Sequence, residues 1–395
     1  MTSFPLPQAT PEDVGLSSAA LARLGEVLRG EVARGHVPGA VALVARRGRV
    51  AYFERFGRRD PASDAPMAND SIFRIYSMTK PIVSVAAMML WEEGRFLLSD
   101  PIGKYLPELA NPKVAVARGS EIELVPAERP ITIQDLLRHT SGLTYEFRGS
   151  GPVHKMYTAA RIYIRDQSNA DQVATLGKMP LLDQPGTKWE YSRSTDVIGR
   201  LVEVLSGSTL GEYLRRRVLA PLRMTDTAFH VPPTLHDRLA EAFAKDPETG
   251  SGVQLINVRD APKFESGGGG LVSTAGDYAR FLQMLLNGGR LEEVRLLSRK
   301  TIELMTSDHL GPITGAPDLL LPGYGFGLGF AVRLQPGIAP VPGTVGQYFW
   351  GGLAGTTFWV DPKEELFAIM LIQAPGQRDY FRNLFRDLVY AAFDD

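Results

Sequence analysis

From Pro81 to Trp91 the chain runs Pro-Ile-Val-Ser-Val-Ala-Ala-Met-Met-Leu-Trp, eleven residues without a charge and with Ser84 as the one hydroxyl. A helix that is apolar on every side belongs inside a core, so the rest of the fold has to be assembled around it. Pro81 fixes where that helix begins. It has no N–H and is tolerated only near a helix start, where backbone donors lack intrahelical partners. Ser77-Met78-Thr79-Lys80 therefore falls at or within the first turn.

A serine three residues ahead of a lysine on a helix faces the same side, one turn apart. The lysine can then serve as the base that makes a poor hydroxyl nucleophile usable. Lys80 is the single lysine in the chain with a serine three positions before it. At a helix start Ser77 meets unpaired N–H groups and the positive end of the dipole, which suits a developing oxyanion. Burial of Lys80 would push its pKa down, as a catalytic base requires. The same window also accommodates a plain structural reading, with Ser77 capping a core helix and Lys80 reaching out to solvent.

The chain has 395 residues, enough for one large α/β unit or two domains. A net charge of −1 gives no global bias toward nucleic acid or acidic surfaces. Cysteine is absent, which excludes disulfides, thiolate chemistry and cysteine zinc sites. The first residues, Met1-Thr2-Ser3-Phe4-Pro5, show no basic region followed by an apolar one. No apolar run approaches the roughly 18 to 20 residues that span a bilayer, so the expectation is a cytoplasmic protein without a membrane partner.

Residues 17–34 read as a capped amphipathic helix. Ala40–Ala45 and Val50–Phe53 read as strands joined through Arg46-Arg47-Gly48-Arg49 in a hairpin. Helical patterns dominate from about 77 to 265, and one loop there, around Tyr145 to Pro152, is rich in glycine and aromatic residues. Gly267-Gly268-Gly269-Gly270 marks a turn that needs close approach or positive φ, followed by a helix over Ala275–Leu286. Thr356–Val360 and Leu366–Ile372 read as strands, and Asp379–Phe393 as a closing amphipathic helix. Strands at both ends around a helical middle predict an α/β (α+β) fold: one antiparallel sheet built from both termini and flanked by helices, with an all-helical lobe inserted between. The implied lobes are 1–76 with 266–395, and 77–265, with a cleft at their seam.

Two further windows carry chemistry. Tyr191 precedes the helix signal at Asp196–Leu205, where a tyrosine could shuttle a proton if a neighbouring ammonium lowered its pKa. Trp350-Gly351-Gly352 places two glycines in a strand, leaving room for a ligand to approach the backbone. Read singly, each also fits a packing role: an anchoring tyrosine, and a bulge beside a tryptophan.

Together the three windows resemble the serine β-lactamase and penicillin-binding-protein superfamily, where S-x-x-K, a Y-x-N-type element and K-T-G line one cleft. Within it the chain is most similar to family VIII carboxylesterases, related to class C β-lactamases, which carry Trp-Gly-Gly in place of Lys-Thr-Gly. Leu136-Leu137-Arg138-His139-Thr140-Ser141-Gly142-Leu143, Gly268-Gly269-Gly270-Leu271 and Gly355–Pro362 extend the likeness along the chain. The resemblance implies Ser77 as nucleophile, Lys80 as its activating partner and Tyr191 as proton relay. It further implies an oxyanion hole from the N–H groups of Ser77 and Leu353, with Trp350, Gly351 and Gly352 in the substrate pocket. Arg193 stands where Y-x-N has its asparagine, and the lysine of Lys-Thr-Gly is missing, so esters are expected over β-lactams. A G-x-S-x-G elbow is absent, and His139 reads as structural instead of as a triad member. The six histidines show no H-x-x-x-H spacing, so neither metal nor cofactor is expected. The reading is a serine carboxylesterase for short- to medium-chain esters. Acyl transfer is the close alternative; a β-lactamase or D-amino-peptidase and a silent binding protein are the remoter ones.

Overall fold

The computed structural model describes residues 5–118, 121–315 and 319–395. Helix α1, Ser18–Ala33, is capped by the Ser17 hydroxyl, which accepts from the Ala20 N–H. Strand β1, Gly39–Arg46, leads into β2, Arg49–Asp60. Arg47 and Gly48 between them both have positive φ, 51° and 73°, which a two-residue hairpin of this hand demands. Strand β2 runs past the sequence expectation of Val50–Phe53. The ladder continues through Glu54 and Arg55 to pair Phe56 with Ala40 and Gly57 with Gly39. Backbone pairing to a buried neighbour here overrides the polar character of two residues.

Among the described residues the large antiparallel sheet has eight strands. Its order is Tyr324–Phe326, Ala331–Arg333, Tyr348–Gly351, Thr357–Asp361, Leu366–Ile372, β1, β2 and β3, which is Ala65–Pro66. N-terminal β1 pairs with C-terminal Leu366–Ile372 in the register Leu43 to Ile369, so both ends of the chain close one sheet. Every residue of those two strands is buried, which requires cover on both faces. Helix α1 and the C-terminal helix Arg378–Tyr390 pack on each other and on the sheet, and Ala275–Leu286 packs on the same central strands.

The middle of the chain is mainly helical, as its patterns predict, but it also holds a two-stranded hairpin, Lys113–Arg118 with Glu121–Pro126. Val114, Val116, Ile122 and Leu124 recur there with a period of two, a strand signal that the surrounding helical periodicity obscured. Helix α2, Thr79–Glu92, contains Pro81 and the apolar run after it, and Thr79 through Leu90 are all buried. A single 3₁₀ turn, Tyr76–Met78, precedes it. Tyr76 takes φ +43°, a costly conformation for a bulky residue, and its hydroxyl is held by the Ile256 N–H at 3.0 Å. That bend sets the direction from which Ser77 enters the helix.

Candidate active site

Ser77 sits in the 3₁₀ turn, at a position whose N–H has no intrahelical acceptor. Lys80 follows on the same side, entirely buried. Its Nζ donates to Gly268 O at 2.7 Å, to Tyr145 Oη at 3.0 Å and to Ser77 Oγ at 3.3 Å. It also lies 4.4 Å from the centre of the Tyr191 ring. Burial lowers its pKa to about 7, with Asp196 pulling upward and Arg193 adding to the downward push.

Tyr191 comes from the loop before the helix Ser194–Ser206 and is buried beside Trp350, whose indole Nε1 donates to its hydroxyl at 3.2 Å. The structure corrects the sequence picture of a depressed phenol pKa. Burial raises it, against smaller opposing effects of hydrogen bonds with Ser77 and Trp350. With its pKa raised above the ordinary phenol value, Tyr191 is protonated at neutral pH.

Asp196 organises the glycine turn. Its Oδ1 accepts from Gly268 N at 2.8 Å and from Ser266 Oγ at 2.6 Å. None of Gly267 to Gly270 has positive φ, so Gly267, Gly268 and Gly270 answer to space, the close-approach branch of the expectation, while a Cβ on Gly269 would make only ordinary contact. A Cβ on Gly268 would stand 2.9 Å from Tyr145 Oη, and one on Gly267 would stand 2.5 Å from Thr195 O. Arg193 is buried and turned inward, donating to Glu146 at 2.6 Å and to Asp196 at 3.3 Å.

The strand Tyr348–Gly351 brings Trp350 and Gly351 to the same place, and Gly352 begins the turn that follows. Gly352 N donates to Thr356 O at 2.7 Å, closing the turn in which Leu353 lies. A Cβ on Gly352 would meet Thr356 Oγ1 at 2.3 Å and Ile75 O at 2.5 Å. One on Gly351 would stand 2.7 Å from Arg382 Nη2. Arg382 belongs to the C-terminal helix; burial lowers its pKa to about 10, with Asp379 opposing, and it interacts electrostatically with Tyr191.

His139 is buried with φ +60° and packs its ring 4.9 Å from that of Tyr191. The Ser192 N–H donates to its Nδ1 at 3.3 Å, which leaves the proton on Nε2. Burial, reinforced by Lys80, drives its pKa well down, so it stays neutral. It braces the Tyr191 loop, with the Ser192 hydroxyl also 3.2 Å from its Nδ1.

Ser77, Lys80, Tyr191, Trp350, Gly351 and Gly352 thus surround one site. Sequence reasoning missed Tyr145, Asp196, Glu146 and Arg382 as neighbours of that site. Tyr145 alone left a signal, as an aromatic in a glycine-rich loop. From the sequence, pocket size is expected to depend on the loops Tyr145–Met156 and Ala316–Gly325, and residues 316–318 of the second lie outside the described residues.

A Beta-lactamase family model matches residues 24–392. The chain belongs to the Beta-lactamase family. Among its relatives, esterase EstB of Burkholderia gladioli is 32% identical over 96% of this chain and 98% of its own. An uncharacterized protein of Mycobacterium tuberculosis is 38% identical over 86% of each chain. The solved structure of EstCE1, described as a hydrolase with promiscuous acyltransferase activity, superposes with a TM-score of 0.79 at 27% identity. It covers 94% of this chain and 98% of that one. Within the Beta-lactamase family these likenesses bear out the resemblance to family VIII esterases. No helix among the described residues is long and apolar enough to cross a membrane.

Proposed function

We propose that this chain is a serine carboxylesterase that hydrolyses short- to medium-chain esters through an acyl-enzyme on Ser77. The observation that carries the reading is the set of partners around Lys80 Nζ. Gly268 O accepts and cannot donate, and Tyr145 Oη takes a second N–H. A neutral Lys80 amine then has its lone pair left for the Ser77 hydroxyl proton, and a pKa of about 7 keeps that neutral form populated.

Ser77 Oγ attacks the ester carbonyl as its proton passes to Lys80 Nζ. The N–H groups of Ser77 and Leu353 hold the oxyanion. Collapse expels the alkoxide, which takes a proton from the Tyr191 phenol as Lys80 resupplies it. Water attacks the acyl-enzyme by the same relay in reverse and frees the acid. Trp350 lines the acyl pocket, and Gly351 and Gly352, by lacking side chains, let Arg382, Thr356 and the Ile75 carbonyl close in on the turn that carries the Leu353 N–H. Ser77 sits at the seam of the two lobes, 1–76 with 266–395, and 77–265. The partner is a small ester, the compartment the cytoplasm.

Acyl transfer to an alcohol is the second reading, favoured by the likeness to EstCE1. The same residues serve both reactions, and only the acceptor at the second step differs.

The test is hydrolysis of p-nitrophenyl esters from acetate to laurate by wild type and Ser77→Ala, with intact-protein mass spectrometry during turnover. Expected is an acyl adduct on wild type alone and a loss of roughly 10⁴-fold or more in the variant. Equal turnover by both proteins would sink the Ser77 assignment. Added alcohol acceptors divert acyl groups to new esters if transfer competes.

A further inference from the structure

The loop that opens at Tyr145 is pinned at three consecutive residues. Tyr145 Oη accepts from Lys80 Nζ at 3.0 Å, and Glu146 Oε1 accepts from Arg193 Nη2 at 2.6 Å. The Phe147 ring lies nearly parallel on that of Tyr145, with centroids 4.8 Å apart and planes at 20°. The Arg193 guanidinium carbon stands 4.7 Å from the centre of the same Tyr145 ring. Phe147 and Arg193 thus both pack against the Tyr145 ring. The Arg148 N–H returns to Tyr145 O at 3.1 Å, closing a turn that fixes the backbone carrying Phe147.

Phe147 is 63% exposed. A lone exposed phenyl is ordinary on a protein surface. This one follows directly on the part-buried Arg193–Glu146 ion pair and stands one ring removed from the lysine of the site. Stacking on Tyr145 orders its inner face and leaves the outer one as apolar surface open to a ligand.

We infer that Phe147 is a specificity-determining wall: its free face receives the ring of the ester, so preferred substrates carry an aromatic or flat apolar group. The inference rests on the esterase reading and adds the substrate class to it. Offset stacking between two rings is worth roughly 3- to 10-fold in binding. Because the stack forms away from the reacting carbonyl, its loss falls mainly on KM.

The test uses the full-length protein with three esters: ethyl acetate, benzyl acetate (ring on the alcohol) and ethyl phenylacetate (ring on the acyl group). In Phe147→Ala, kcat/KM for at least one ring-bearing ester, divided by that for ethyl acetate, is expected to fall about 3- to 10-fold. The rise should sit in KM, and Phe147→Tyr should restore the ratio. The arm that falls identifies which side of the ester carries the ring. Ratios within about twofold of wild type in both arms overturn the inference. Ser77→Ala run alongside separates the failures: no turnover of any of the three esters by wild type defeats the esterase reading, activity surviving in Ser77→Ala defeats the Ser77 acyl-enzyme, and a dead Ser77→Ala with unmoved ratios defeats only the role of Phe147.

Discussion

The helix wall and the strand wall of the cleft hold their chemistry by opposite means. On α2 a side chain is tuned by what surrounds it: Lys80 is stripped of water, and its pKa drops to about 7. Around Trp350–Leu353 the decisive atoms are backbone, and what matters is side chains that are missing. Gly352 has Ile75 O and Thr356 Oγ1 where a Cβ would go, and Gly351 has the Arg382 guanidinium. One wall depends on burial of a charge and the other on space. Damage to the first should therefore change how activity depends on pH, whereas damage to the second should change rate at every pH alike.

The largest break in that contrast is expected from Lys80→Met. Wild-type kcat/KM should rise with pH through about 7, because Lys80 accepts a proton only when neutral. The variant should lose about 10²- to 10⁴-fold, and the ascending limb near neutrality should vanish with it. A limb that persists in Lys80→Met would assign the titration to another group.

Next in size is Gly352→Ala. The added methyl displaces the turn that carries the Leu353 N–H, and losing one oxyanion donor typically costs about 10²- to 10³-fold. The pH limb should stay in place. A moved limb would mean that the two walls are coupled electrostatically after all.

The smallest effect on rate is expected from Arg193→Met, a change that sharpens the comparison. The guanidinium lowers the Lys80 pKa and Asp196 raises it, so removing the former shifts the limb toward alkaline pH. Activity at high pH should fall only a few-fold. The same variant leaves Asp196 and Glu146 uncompensated in the interior, which costs about 3–5 kcal/mol and should lower the melting temperature. An unmoved limb would show that desolvation alone sets the basicity of Lys80.

Much of the frame was legible in the residues because it follows from local pattern. Pro81 and the apolar run after it located α2, and Ser77 with it. The Ser17 cap, the Arg47-Gly48 turn and the apolar strands at both termini announced their own elements. Less legible was anything decided by pairing. The extension of β2 across Glu54 and Arg55 came from the ladder with β1, and Lys113–Arg118 paired with Glu121–Pro126 as strands inside a helical region. The phenol of Tyr191 went the other way from the sequence expectation, since burial outweighs what its neighbours do.

By itself the sequence determined that Ser77 and Lys80 stand on one side of a helix start, that this helix is interior, and that strands from both ends build the sheet. Those results depend on periodicity and on proline geometry, which act over a few residues. Tertiary structure alone decided what meets Lys80: Gly268 O from 188 residues away, Tyr145 Oη from 65, and the Arg193–Asp196–Glu146 ions behind them. It also decided that Phe147 stands open on Tyr145. Hydrogen bonds and desolvation act over a few ångströms in space whatever the separation along the chain, and no local pattern encodes which distant atoms will supply them.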